Sequence, residues 1–350
     1  MACHGESLTR ASRADGSMNP TEPRGGRCSM SLNDFRQMIA HAVRAPSGHN
    51  TQPWLFTVGS DHITISPDPG RRLPVVDPDD RELFISLGCA AENLRIAASH
   101  QGYTCSTRVS DAGEIVISLT RQDGVTPDPL FEQIPHRQTN RATYDGRPIS
   151  QTLLASIIAA TQTSRVHIRT WTHGTPEHAR LTERVLAGNT AQMKDAPFKQ
   201  ELLSWIRYNR SHSERTRDGL SYAVMGAPSL PEWITRPIIR FSLHGEILNT
   251  AERKRIASSS HLMLLSTGGD TRPDWIETGS VLQRTLLLLT QHGIAHAYLN
   301  QPCEVPFLRE RIGVGFSAHN RYPQILMRLG YAKPRPCSER RAVDEVIREA

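Results

Sequence analysis

Lysine is almost missing from this chain: of 41 basic residues, only Lys194, Lys199, Lys254 and Lys333 are lysine. The arginines that make up the rest are dispersed, with no block of five or six cations together. The formal charge of +6 therefore does not gather into the aromatic-interleaved basic stripe of a nucleic-acid surface. Cysteine is sparse too. Cys3, Cys28, Cys89, Cys105, Cys303 and Cys337 form no Cys-x-x-Cys pair, which excludes a zinc ribbon and a disulfide framework and fits a reducing cytosol. Long apolar runs are absent. The most apolar stretch, Leu286 to Leu289, is closed in by Arg284 and His292, too short to span a bilayer. The first thirty residues hold no apolar h-region; they read as a flexible, Gly-, Ser- and Arg-rich extension. The expectation is a cytoplasmic protein with neither a membrane nor a nucleic-acid partner.

Several catalytic signatures are missing as well. No Gly-x-Gly-x-x-Gly marks a Rossmann unit and no Gly-x-Ser-x-Gly marks a nucleophile elbow. His292 and His296 have the spacing of metal ligands on a helix, but Gly293 ends the helix between them, so no metal site is expected.

What is present is patterned. Phe35, Met38, Ile39, Ala42 and Val43 share one helical face, and Pro46 stops that helix. Strands are predicted at 54–58 and 62–65, a long helix at 80–100, and strands near 105–109 and 114–119. The second half restarts with a helix capped by Ser150, followed by a strand at 166–171 and helices at 176–187 and 193–209. The stretch 210–245 reads as irregular. A helix at 247–257, a strand at 261–266, a long helix at 274–292 and a strand at 324–329 complete the chain. The long helices look related: Gly88, Glu92 and Gly102 match Gly279, Gln283 and Gly293, each pair 191 residues apart. The opening helices lie only about 117 apart, so the second half carries about 74 extra residues.

The strongest local signal is Ala45-Pro46-Ser47-Gly48-His49-Asn50-Thr51-Gln52-Pro53-Trp54. Ser47 and Gly48 let backbone approach a ligand. Asn50 and Gln52 bring amides that suit a ring with alternating N–H and C=O edges. This stretch resembles the Pro-Ser-x-x-Asn-x-Gln-Pro-Trp loop of the nitroreductase superfamily of FMN enzymes. The Arg-x-Ser-x-Arg motif that opens such proteins is not upstream of Asn33. Arg137-Gln138-Thr139-Asn140-Arg141 resembles it, at the start of the second half. The helix from Gly279 to Gln283, Gly293-Ile294 and Leu329-Gly330-Tyr331 are similar to later family features, and the likeness covers about 31–346.

The resemblance implies an α+β, nitroreductase-like fold. In the family each flavin lies at a dimer interface, one subunit giving the arginine motif and the other the loop. Here each half keeps one of the two, as in the single-chain Acg-type proteins, so the resemblance implies a monomeric pseudo-dimer with one FMN. Its lobes are 31–130 and 131–350, the second with a lid insertion at about 195–245. Arg137, Thr139 and Arg141 would hold FMN, with Pro46, Ser47, Gly48, Asn50 and Gln52 from the other half. Asn300 and Gln301 would face the ring, and Arg340 and Arg341 would reach the phosphate. The implied function is hydride transfer from NADH or NADPH through FMN to a nitroaromatic or quinone-like acceptor. The alternative is a lidded protein that only binds and sequesters FMN, with Trp205, Tyr208, Tyr222 and Trp233 as apolar cover.

Overall fold

A capping box opens the first helix, α1 (Leu32–Ala42): Ser31 accepts from Asp34 N, and the Asp34 carboxylate accepts from Ser31 N. Its apolar face, Phe35, Met38, Ile39 and Ala42, is buried. The computed structural model describes residues 31–316 and 321–348, so the expected N-terminal extension lies outside the described residues. After α1 come β1 (Trp54–Val58), β2 (His62–Pro67), α2 (Arg81–His100), β3 (Tyr103–Val109) and β4 (Ile115–Arg121). In β4, Ile115, Ile117 and Leu119 alternate inward, as a half-buried strand requires.

The second half runs α3 (Gln151–Thr161), β5 (Val166–Thr172), α4 (Pro176–Lys194), α5 (Ala196–Ser204), β6 (Ile206–Arg207), α6 (Arg210–Thr216), β7 (Leu220–Ser221), α7 (Glu232–Ser242) and α8 (Gly245–Ala257). It continues with β8 (His261–Thr267), α9 (Arg272–Gln291), β9 (Ala295–Tyr298), α10 (Gln301–Glu304), α11 (Pro306–Phe316), β10 (Tyr322–Gly330), α12 (Val343–Val346) and β11 (Ile347–Arg348).

The fold is α+β. One sheet has the order β11-β1-β2-β4-β3 and the other β5-β8-β10-β9. Matching β1, β2, β3 and β4 to β5, β8, β9 and β10 makes β1-β2-β4-β3 and β5-β8-β10-β9 the same arrangement, antiparallel throughout. The duplication is sharpest where α2 crosses α9. A Cβ on Gly88 would lie 2.0 Å from Ile276 O, and one on Gly279 would lie 2.0 Å from Ile85 O. Ile85 and Ile276 are themselves 191 apart, so the crossing is reciprocal, as a pseudo-twofold axis demands. Only glycine permits backbones this close.

One apolar core joins both halves, from Met38, Trp54 and Leu87 to Leu286, Leu329 and Val346. The extra length of the second half, α4 to α8, sits between β5 and β8, where the first half has the short β1–β2 connection.

One expectation needs correction. The segment 210–245 is not irregular: it contains α6, β7 and α7. Short helices interrupted by Gly219, Gly226 and prolines give too little period to read. At the edge of the first sheet β11 adds to β1 in parallel, pairing Phe56 with Ile347. Among the described residues, no helix is long and apolar enough to cross a membrane.

Candidate functional site

The loop after α1 is strained. His49, Asn50 and Gln52 all have positive φ, at 48°, 57° and 54°, a region costing about 1–3 kcal/mol each for non-glycine residues. The strain is held by a dense set of bonds. Ser47 Oγ accepts from Gln52 N at 3.0 Å. Asn50 Nδ2 donates to Gly219 O and Glu339 O, both at 3.2 Å, while its Oδ1 accepts from Arg340 at 2.8 Å. Gln52 Nε2 donates to Arg217 O at 2.8 Å, and its Oε1 accepts from Arg341 N at 2.8 Å. Both amides are thus consumed within the protein. They staple the loop to the insertion and the C-terminal tail instead of offering free edges to a ring. Gly48 leaves little room beside it, since a Cβ there would meet Leu73 Cδ1 at 3.1 Å and Glu82 Oε2 at 3.6 Å.

The arginine segment lies along β9. Thr139 bridges His296 in parallel, and Asn140 N donates to His296 O at 2.8 Å. The tail runs over it: Asn140 Nδ2 donates to Lys333 O at 2.8 Å, and Arg335 N to Gln138 Oε1 at 2.5 Å. Arg137 is buried and donates through Nη2 to Arg44 O at 3.0 Å, directly behind the loop. Its Nε has no partner. Arg340 reaches the same place, bonding Asn50 Oδ1, Arg44 O and Ala45 O, with its own Nε unpartnered.

The structure therefore brings Arg137 and Arg340, both from the second half, to the Arg44–Asn50 loop of the first, with Arg141 near enough to act on the charge of His49. Among the described residues, none of the three is in an ion pair. Burial lowers the pKa of Arg137 and Arg141. Burial, reinforced by neighbouring Arg137, brings Arg340 down to about 9. Two imidazoles share this field. His49 is lowered to about 4 by burial and then by Arg141. His296 is lowered to about 3 by burial and then by Arg137 and Arg141. Burial raises the Tyr298 hydroxyl. The Nε2 of His296 and the hydroxyl of Tyr298 are buried and unpartnered.

Other expected residues are placed differently. Arg341 turns away to Asp68, at 3.3 Å, and to the carbonyls of Gln52 and Glu345. Asn300 spends its amide on Glu82 Oε1 at 3.1 Å and Leu326 N at 3.0 Å. Gln301 opens α10 with its buried Oε1 unpartnered. Trp233 is 78% exposed and covers nothing. His49, His296 and Tyr298 were not among the expected site residues. The alternation His296-x-Tyr298 is a strand signal, but the four-residue spacing to His292 drew attention to a helical metal pair. Among the described residues, no group of three or more His, Cys, Asp or Glu could hold a metal.

The insertion closes over the loop. Asp218 pairs with Arg71 at 2.9 Å and Arg207 at 2.7 Å, and Gly219 N donates to Asn50 O at 3.2 Å. Leu73 and Val76 pack with Met193 and Phe198 of the insertion side.

The chain is similar over most of its length to bacterial proteins. "Putative NAD(P)H nitroreductase Rv3131" of Mycobacterium tuberculosis (strain ATCC 25618 / H37Rv) is 27% identical over 326 residues, covering 89% of this chain and 90% of that one. "Putative NAD(P)H nitroreductase acg" of the same strain is 23% identical over 331 residues, covering 89% and 95%. "Probable NAD(P)H nitroreductase PigM" of Serratia sp. (strain ATCC 39006) is 26% identical over 249 residues, covering 65% and 67%. No family model matches. The chain thus resembles proteins named as nitroreductases across both of its halves.

Proposed function

We propose that this chain binds one FMN between its halves and acts as an NAD(P)H-dependent oxidoreductase of the nitroreductase type, passing electrons to a nitroaromatic or quinone-like acceptor. The observation that carries this reading is the convergence of Arg137 and Arg340 on a strained loop, with Arg141 beside His49 and the buried Arg137 Nε and Arg340 Nε unpartnered. Buried polar groups are normally satisfied. Donors left open in a field of three guanidiniums suit an oxygen-rich anion, and a flavin phosphate is one. The relatives' names supply the NAD(P)H-linked nitroreductase activity; this chain's residues fit a flavin phosphate.

When bound, FMN supplies two-electron transfer between a nicotinamide and an acceptor. The protein's part is binding and orientation. Arg137 and Arg141 would grip the ligand from the second half, while Arg340, fixed by Asn50 Oδ1, would do so from the tail. Pro46 to Gly48 set the loop backbone close to it. Removing either Arg137 or Arg141 takes away a charged hydrogen bond of about 1.5–3 kcal/mol, or about one to two decades in affinity. The direct experiment is to purify the protein, record its visible absorbance and identify the cofactor released by heat. A yellow protein releasing FMN, with retention weakened in Arg137→Ala and Arg141→Ala, supports the reading. A colourless protein that does not take up FMN refutes it.

A second reading, a protein that stores FMN without turnover, is favoured by one feature: the insertion is bonded to the loop through Gly219 and Arg217, and through Asp218 by way of Arg71, which also holds Thr51 O. Anaerobic bleaching by dithionite, with no bleaching by NADH or NADPH, would select it. Rapid reduction by either nicotinamide would select the enzyme.

A further inference from the structure

The three arginines account for a phosphate, and they leave two neutral groups unexplained. His296 and Tyr298 are two apart on β9, so both side chains leave the same face of the strand. Their rings meet edge to face, 6.2 Å apart at 77°. Thr139 is the bridge partner of His296, which sets the arginine segment alongside that face. His296 is 1% exposed, yet its Nε2 has no partner, and neither has the buried hydroxyl of Tyr298. A strand that only served the core would carry apolar side chains here, as their partners Met327 and Leu329 do on neighbouring β10.

We propose that His296 Nε2 and the Tyr298 hydroxyl bind uncharged polar atoms of the flavin, making β9 a positioning strand distinct from the arginine grip on the phosphate. This rests on the FMN reading above. The division follows from chemistry. A phosphate needs charged donors, and the guanidiniums supply them. Burial and the two arginines keep the His296 imidazole neutral, and burial keeps the Tyr298 phenol protonated. Neutral imidazole can donate or accept at Nε2, and phenol can do both. Such groups match carbonyl, hydroxyl and ring-nitrogen atoms, which a flavin carries in addition to its phosphate.

The test measures FMN affinity of the intact chain by quenching of flavin fluorescence, with inorganic phosphate as competitor. The variants are His296→Phe, His296→Gln and Tyr298→Phe, each checked for an unchanged thermal midpoint. We expect His296→Phe and Tyr298→Phe each to weaken FMN binding about five- to tenfold, the worth of one neutral hydrogen bond. His296→Gln, which keeps a donor and an acceptor, should stay within about twofold. The phosphate competition constant should not move in any of them. Unchanged FMN affinity in both phenylalanine variants overturns the proposal while leaving the FMN reading intact. Equal weakening of FMN and phosphate overturns it too, making the two side chains phosphate ligands. A His296→Gln variant as weak as His296→Phe would reduce His296 to a packing role and overturn its half. A wild-type chain that binds phosphate but no FMN removes this proposal and the reading beneath it together.

Discussion

Asn50 and Gly219 bond to each other in both directions: the Asn50 side-chain amide donates to Gly219 O, and Gly219 N donates to Asn50 O, each at 3.2 Å. The same amide also holds Glu339 O and Arg340. One side chain therefore ties the loop to both the insertion and the tail. Asn50→Ala should raise amide exchange at 217–220 and 338–341 together, with a stability loss of about 1–3 kcal/mol. Hydrogen exchange by mass spectrometry checks this. Faster exchange in only one of the two segments would show that they are not coupled through Asn50.

Asp218 is the ionic latch of the insertion, buried between Arg71 and Arg207. In Asp218→Asn the pairing loses its charge but keeps its shape. The rate of flavin reduction by NADPH should rise relative to that by dithionite, because a looser insertion opens the site to the larger reductant. Stopped-flow absorbance measures both rates, and an unchanged ratio would mean that access is not limited by this contact.

The α2–α9 crossing gives a stability prediction. Gly88→Ala and Gly279→Ala each place a methyl about 2.0 Å from a backbone oxygen, so the helices must separate. Both variants should be strongly destabilised or insoluble, by about 3 kcal/mol or more by the standards of core overpacking. Gly315→Ala in α11 has nothing near its added methyl and should be neutral or gain up to about 1 kcal/mol. Urea titration of the three variants checks the contrast.

Acidification should weaken the protein below about pH 6.5. His49 and His178 are lowered to about 4 and His296 to about 3, burial being the first cause in each. Between about 6.5 and 4 the unfolded chain takes up protons that these folded imidazoles refuse, so stability falls with pH. Asp77, raised to about 6 by burial and by Glu82, works the other way between about 6 and 3.8, and Glu304 is raised as well. The lowered imidazoles, which also include His41, His212 and His261, outnumber the two raised carboxyls. Urea midpoints from about pH 7 to about pH 5 should decline, less steeply in His178→Gln, which lies outside the site.

The pairing of complementary motifs predicts one FMN per intact chain, with 1–130 and 131–350 each failing to bind it alone. The shared core points the same way, since Met38 and Leu286 belong to one apolar cluster. Two FMN per chain, or tight binding by either fragment, would contradict it.

Much of this was legible in the sequence, and the reasons are specific. Helices α1, α2, α3 and α9 carry long apolar periods, and β1 begins and ends where the run from Trp54 to Val58 does. Arg137 and Arg141 were readable only because their spacing resembles the Arg-x-Ser-x-Arg motif that accompanies the Pro-Ser-x-x-Asn loop. The rest depends on contacts between distant residues. Nothing local distinguishes an Asn50 that faces a ligand from one that binds Gly219 and Glu339. Nor does sequence separate Arg340, which enters the site, from Arg341, which Asp68 draws away. The burial of His296 follows only from the pairing of β9 with β10 and Thr139.

The parallel edge made by β11 has a consequence for how the molecule is born. The sheet that begins with β1 is finished by Ile347, roughly 290 residues further along, so its outer edge stays open through most of synthesis. Such a distant pairing is costly in loop entropy and slow to form. The amino-terminal half is therefore the first made and the last completed, and until β11 arrives it offers an unpaired strand edge to any neighbouring chain. Ribosome-bound intermediates of this protein should be the ones that chaperones hold longest.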